Sequence, residues 1–148
     1  MPASYAMKPL GCDPQRIKGM SEKLIVSHYE NNYGGAVKRL NLIAEQLAGL
    51  NFNGAPNFLI NGLKREELIA TNSMILHELF FDGLGDESAP GKELSSVLAR
   101  DFGSYDRWRA EFIHIDYGAK AATYVDTYMN AIHWSNADRL FTSFAALD

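Results

Sequence analysis

The strongest constraint on the fold is the helical spacing of apolar side chains in two long segments of the chain. After a helix-start signal at Ser21, one face is formed by Leu24, His28, Leu40, Ile43 and Leu47. A second helix, expected over roughly Lys64 to Asp82, has a face formed by Ile69, Ser73, His77, Phe80 and Phe81. No period-2 alternation of useful length occurs anywhere. The sequence therefore predicts an all-α fold.

Turn-forming residues indicate how these helices are arranged. The stretch Asn51–Asn57 separates the two segments, which predicts a long antiparallel helical hairpin over residues 16–84. Residues 1–15 hold three of the five prolines and are expected to form an extended arm. Residues 92–147 are expected to form three or four shorter helices. We expect one domain over residues 1–148, since a chain of this length with 47% hydrophobic residues can bury a core.

Local signals refine this prediction at several positions. The pair Gly34–Gly35 inside the first helix predicts a kink or a close approach by another backbone. Short helices are expected near Glu93 to Arg100, Tyr105 to Phe112, Ala119 to Ile132 and from about Ser135 onward. Ser104 should cap the second of these, Gly118 should interrupt the chain before the third, and Ser135–Asp138 resembles a capping box.

Charge and composition exclude several classes of function. The chain carries 14 basic and 18 acidic residues without a basic stripe, which argues against nucleic acid as a partner. No apolar run approaches the ~20 residues of a membrane span, so no membrane partner is expected. The single cysteine, Cys12, excludes an internal disulfide framework and is typical of a reducing compartment. These features predict a cytoplasmic protein.

The candidate chemistry is concentrated at two of the four histidines. No phosphate-binding loop, dinucleotide turn, nucleophile elbow or paired-cysteine motif is present. His28 and His77 lie on core-facing positions of neighbouring helices and could meet across the hairpin. An isolated histidine at such a position is more often a hydrogen-bonded core residue. Imidazole is also the commonest ligand for iron, manganese and zinc, and a usable site needs at least one further ligand.

Four stretches of the sequence carry a family resemblance. They are Ser27-His-Tyr-Glu-Asn-Asn-Tyr33, Asn72-Ser-Met-Ile-Leu-His-Glu-Leu-Phe-Phe81, Asp101-Phe-Gly-Ser-Tyr-Asp-Arg-Trp-Arg-Ala-Glu-Phe112, and the segment from Ile115-Asp-Tyr-Gly-Ala-Lys-Ala121 to Trp134. In these stretches the chain resembles the iron/manganese superoxide dismutases. The resemblance implies that His28 and His77 are the first two metal ligands. It also implies iron or manganese as cofactor and superoxide as substrate, disproportionated to oxygen and hydrogen peroxide as the metal alternates between +3 and +2.

The chain departs from the family pattern at the other half of this site. The family's remaining ligands, an aspartate and a histidine, precede the segment that resembles Ile115-Asp-Tyr117, and both are missing. We interpret this as an internal deletion joining Phe112 to Ile113, which also removes the family's small three-stranded sheet. Glu111 is then the candidate third ligand. The gateway tyrosine position falls on Ala36, so Tyr33 is the candidate substitute.

Three functions remain open on this reading. The first is a superoxide dismutase-like metalloprotein whose metal site is incomplete. The second is a non-catalytic helical oligomerisation or interaction module, because losing a sheet uncovers apolar surface that favours association. The third is a two-histidine, one-carboxylate metal site of other chemistry, with Glu111 as its carboxylate. We also expect a homo-oligomer formed through the C-terminal helices.

Overall fold

The computed structural model describes residues 4–85, 89–117 and 122–146, with side chains throughout except over 113–117 and 122–125. The described residues are mainly helical and contain no strand, and one isolated antiparallel bridge joins Leu84 to Ile132. The predicted all-α class is therefore confirmed. None of the helices in these ranges is both long enough and apolar enough to cross a membrane.

The chain divides into two compact units. The first contains the residues up to Leu10 together with Lys23–Phe81, and the second contains Gly11–Glu22 together with the described part of Asp82–Asp148. Most of the first long helix and of the second belong to the first unit, which contains His28 and His77. The organisation as a single domain stays a prediction.

The first long helix is interrupted by a π-helical segment. It consists of α1 (Glu22–Ser27), the π segment (His28–Tyr33) and α2 (Gly34–Ala48). The wider turn is visible in the hydrogen bond that the Gly34 N–H donates to the Tyr29 carbonyl, five residues back. The helix irregularity that was predicted at Gly34–Gly35 is therefore found one turn earlier, at His28–Tyr33. A close approach does occur at Gly34, where an added Cβ would lie 3.1 Å from the Met7 sulfur.

The π segment changes which side chains share a face. In a regular α-helix each residue turns by about 100°, so His28 and Leu40, twelve residues apart, would point about 120° apart. The π segment accommodates about one extra residue, which reduces this separation to about 20°. The expectation that Leu24 shares the buried face is wrong. Leu24 is 52% exposed, and its neighbour Ile25 is the residue in phase with the buried Tyr33 and Leu40.

The second long helix, α3 (Asn57–Asp82), begins earlier than expected. The prediction of a start near Lys64 is wrong by seven residues, because the helical hydrogen bonds already begin at the Pro56 carbonyl. Proline suits a helix start, where its missing N–H costs no bond, and Gly62 is tolerated in the helix interior. Ile69 is exposed rather than buried, since the inward line runs through Leu63, Ala70 and His77.

The core of the first unit joins α2 to α3. Its fully buried residues are Leu40, Ile43, Leu47 and Ala70, against which Tyr5, Leu63 and Met74 pack. Arg39 of α2 also forms an ion pair with Glu66 of α3. Burying such apolar side chains contributes roughly 1.5–3 kcal/mol each, so this cluster is a substantial source of stability in the unit.

The N-terminal arm is attached to the first long helix through polar contacts. The Tyr5 N–H donates to Asn41 Oδ1 at 2.8 Å, and Asn41 Nδ2 donates to the Tyr5 carbonyl at 2.9 Å. Farther along, the Lys8 N–H donates to the Tyr33 hydroxyl and the Lys8 carbonyl accepts from the Tyr29 hydroxyl. These bonds replace the strand pairing that an extended segment otherwise needs.

The second unit contains four shorter helices among the described residues. They are α4 (Lys92–Phe102), α5 (Tyr105–Tyr117), α6 (Ala122–Asn130) and α7 (Trp134–Ala145). The buried Met129 and Trp134 form its centre, surrounded by the partly buried Leu94, Tyr105, Trp108, Phe112, Ile132 and Ala137. The expected interruption at Gly118 lies outside the described residues.

One of the two predicted caps in this unit is confirmed. Ser104 Oγ accepts from the Arg107 N–H at 3.0 Å and so caps α5 as expected. The capping box expected within Ser135–Asp138 is wrong. The Asp138 carboxylate instead accepts from the N–H of Gly91, at 2.7 Å and 2.9 Å from its two oxygens, and thereby caps α4.

We expect Leu40→Ala to lower the free energy of unfolding by about 2–5 kcal/mol, because it opens a cavity in the core of the first unit. Leu42→Ala is the matched control, since Leu42 lies on the same helix but is 50% exposed, whereas Leu40 is 1% exposed. Urea unfolding followed by circular dichroism measures both. Equal losses for the two variants would contradict the assignment of this core.

Candidate metal centre

His28 and His77 lie side by side, as the sequence predicts. Their ring centroids are 5.0 Å apart, with the ring planes at 82°. His28 is the first residue of the π segment and His77 lies in the last two turns of α3, so the pair depends on the phase shift that the π segment introduces. Both side chains are half-buried.

Aromatic rings surround the two imidazoles. The centroids of Phe80 and Phe81 lie 5.1 Å and 5.4 Å from that of His28, and the Tyr33 ring stacks on His77 at 6.2 Å and 19°. Burial lowers the pKa of His28, and the neighbouring His77 lowers it further. A lowered pKa favours the neutral imidazole at pH 7, which is the form that binds metals.

The tautomer of His77 is set by its own helix. His77 Nδ1 lies 2.6 Å from the Ser73 carbonyl oxygen, one turn earlier. A carbonyl oxygen can only accept, so Nδ1 carries the proton and the lone pair of the neutral ring is on Nε2. A backbone carbonyl that holds one ring nitrogen in this way is the usual outer partner of a metal-binding histidine.

Tyr33, the candidate gateway residue, is buried beside His77 and takes part in a polar network. Its hydroxyl accepts from the Lys8 N–H at 2.9 Å and donates to Glu78 Oε1 at 3.0 Å. The Lys8 ammonium lies 2.5 Å from the other oxygen of Glu78. Burial is the largest of the effects that raise the pKa of Tyr33, so the hydroxyl stays protonated at neutral pH. A catalytic role for Tyr33 stays a prediction.

Sequence reasoning missed Glu78 and Lys8. Glu78 lies in the inward phase of α3, four residues after Met74 and three before the buried Phe81, and that phase was the available signal. Lys8 gives no such signal, because an arm without secondary structure has no periodicity from which a contact can be inferred.

The third candidate ligand, Glu111, lies on α5 in the second unit. Within the described ranges, no group of three or more His, Cys, Asp or Glu side chains is close enough to hold a metal ion. The role of Glu111 stays a prediction. What the described residues do bring together is two imidazole side chains in a partly apolar surrounding.

The other two histidines and the cysteine belong to the second unit. His133 is exposed and precedes α7, and the side chain of His114 lies outside the described residues. Cys12 is half-buried, and burial raises the pKa of its thiol, so little reactive thiolate is present at neutral pH. Trp108 and Phe112 are partly buried and pack around the buried Trp134 in the core of this unit.

Comparison with known proteins finds relatives that are named as iron or manganese superoxide dismutases. An iron superoxide dismutase of Cupriavidus metallidurans is 46% identical, with 96% of this chain and 97% of the relative covered. An iron superoxide dismutase of Aquifex aeolicus is 34% identical over 63% of this chain, and a manganese superoxide dismutase of Halobacterium salinarum is 31% identical over 74%. The chain spans about half the length of these two, 47% and 56%. No family model matches the chain.

The alignment with the Cupriavidus protein also locates the difference in length. It extends over 194 positions, which exceeds the 148 residues of this chain by 46. Because nearly all of both proteins is covered, these positions lie mainly inside the alignment and not at its ends. At 46% identity over nearly the full length of that relative, the chain belongs to the iron/manganese superoxide dismutase family, as an internally shortened member.

Proposed function

We propose that this chain is a superoxide dismutase-family metalloprotein in which His28 and His77 form half of an iron or manganese site. On this proposal, disproportionation of superoxide to oxygen and hydrogen peroxide by the chain alone is weak or lost. The observation that carries the proposal is the imidazole pair, 5.0 Å between centroids, with no third ligand beside it among the described residues.

The two histidines suit one half of a metal shell. Imidazole nitrogens bind such metals at about 2.1 Å, so two imidazoles on one ion have centroids about 5 Å apart. The Ser73 carbonyl leaves Nε2 of His77 free to bind. When bound, iron or manganese would supply a one-electron redox couple, and the relatives are named for these two metals.

The same residues do not suit a complete redox site. Two neutral imidazoles bring no negative charge, and the oxidised ion needs a carboxylate to offset its charge. The family resemblance assigns an aspartate and a histidine to a stretch that this chain lacks, and at least 46 alignment positions without a counterpart in this chain support such a loss. We infer that the family's small sheet is lost with them, and we derive no reaction step through a metal at this pair.

Further features belong to the same proposal. The order of contacts between the long helices supports the antiparallel hairpin, since His28 meets His77 while Arg39 meets Glu66. The homo-oligomer through the C-terminal helices and the cytoplasmic location stay predictions from the sequence.

A second candidate function is a helical interaction module without catalysis. It is favoured by the large apolar side chains that α3 exposes, among them Leu68 and Leu76, each more than 60% exposed. Exposed apolar surface on this scale commonly marks a protein contact.

We expect the purified protein to bind manganese(II) or iron(II) weakly and to keep less than one equivalent through dialysis. His28→Ala and His77→Ala should each weaken that binding at least about tenfold, because even an outer partner of a ligand contributes about 10- to 100-fold. Anaerobic titration calorimetry and elemental analysis measure this. The matched control is His133→Ala, which removes an exposed histidine of the second unit and should leave metal binding unchanged.

Three results would change this conclusion. A full equivalent retained through dialysis, with dismutase activity in proportion, would show a complete site. Loss of the residual binding in Glu111→Gln would favour the two-histidine, one-carboxylate alternative. Binding that survives in both histidine variants would remove the pair as the site.

We expect Tyr33→Phe to lower the free energy of unfolding by about 1–3 kcal/mol, because the Lys8 N–H and the Glu78 carboxylate lose a partially buried partner. Tyr5→Phe is the control, since the hydrogen bonds of Tyr5 to Asn41 use its backbone. Urea unfolding compares the two variants. If Tyr33→Phe is neutral, the network does not stabilise the first unit.

A further inference from the structure

The outward face of α3 is more apolar than a solvent-facing helix surface requires. Between residues 68 and 79 it exposes five large apolar side chains by 39–63%, namely Leu68, Ile69, Ile75, Leu76 and Leu79. The polar side chains interspersed there, Thr71 and Asn72, carry no charge. Glu78, the one acidic residue in the range, is turned inward to Tyr33 and Lys8. A helix in water normally places its charges on this face.

The spacing along this face is that of a helix that pairs with another helix. The face contains a line of positions at alternating intervals of three and four residues, namely 65, 68, 72, 75, 79 and 82. Ile69 and Leu76 lie alongside this line. This is the heptad pattern of a two-helix seam, with an apolar centre and a charge at each end. The seam from Arg65 to Asp82 is about 27 Å long at 1.5 Å per residue.

We propose that the outward face of α3 is a docking surface for a second copy of this chain, with the two α3 helices antiparallel. The charges at the seam ends support this choice. Antiparallel pairing places Arg65 of each copy opposite Asp82 of the other, while Leu68 meets Leu79 and Asn72 meets Ile75. The Arg65 side chain lies 3.1 Å from Glu66 of its own helix, yet it is 72% exposed and can also contact a partner. Parallel pairing would place like charges together at both ends.

Twofold symmetry strengthens the argument. In such a dimer every contact occurs twice, so one arginine and one aspartate per chain give two complementary pairs. This surface is distinct from the C-terminal helices, where α7 exposes one large apolar side chain, Phe144, among the described residues. The proposal does not depend on metal binding.

Sedimentation velocity over a range of concentrations tests the dimer, with 16.5 kDa as the mass of one chain. We expect a reversible dimer with a Kd of order micromolar, as for a small interface. Arg65→Asp and Asp82→Arg should each raise that Kd at least about tenfold, and the double variant should return it to within about threefold of the wild-type value. Leu76→Asp should abolish the dimer, whereas Leu42→Asp, a half-exposed leucine of α2, should not.

The charge variants keep the test decisive if Leu76→Asp fails to fold, because they change only exposed side chains, and circular dichroism verifies their helix content. A chain that stays monomeric at every concentration overturns the proposal. A dimer indifferent to all α3 variants overturns it in favour of another face, such as the C-terminal helices. Failure of the double charge swap to restore association overturns the antiparallel arrangement.

Discussion

The π-helical segment between α1 and α2 is the constraint on which the first unit depends. Without it, the side chains before residue 28 and those after residue 34 would lie out of phase, and the first long helix could not bury Ile25, Tyr33 and Leu40 on the same side. Wider helical turns of this kind often occur at functional sites, because they place side chains where a regular helix cannot. Here the turn brings His28 to His77.

The surroundings of the two histidines combine order with low charge. The Ser73 carbonyl orients His77, and the rings of Tyr33, Phe80 and Phe81 limit the motion of both imidazoles. These groups prepare nitrogen donors without contributing negative charge. Glu78, the nearest carboxylate by sequence, is committed to Tyr33 and Lys8. Among the described residues, the surroundings of the two imidazoles are therefore ordered and low in charge.

The internal shortening of the chain also bears on its exposed apolar surface. A sheet that packs on helices covers apolar surface, and its loss leaves that surface to be covered by something else. The outward face of α3 is apolar and exposed, and the proposed pairing with a second copy would cover it. A shortened enzyme can in this way keep its family's helices while its stability and role depend on association.

The sequence by itself determined the helical class, the division into long and short helices, and the choice of His28 and His77 as the histidines on core-facing helix positions. Each of these follows from local periodicity and capping, as at Ser104, which are properties of neighbouring residues along the chain. Only the tertiary structure decided which residue of an adjacent pair is buried, Ile25 rather than Leu24 and Ala70 rather than Ile69. The π segment determines that Ile25 is the buried residue of the first pair, and packing against α2 determines that Ala70 is the buried residue of the second.

The contacts of Glu78 with Lys8, and of Asp138 with Gly91, join residues 70 and 47 positions apart. Such contacts depend on how the chain folds back on itself, and local sequence patterns do not encode that information.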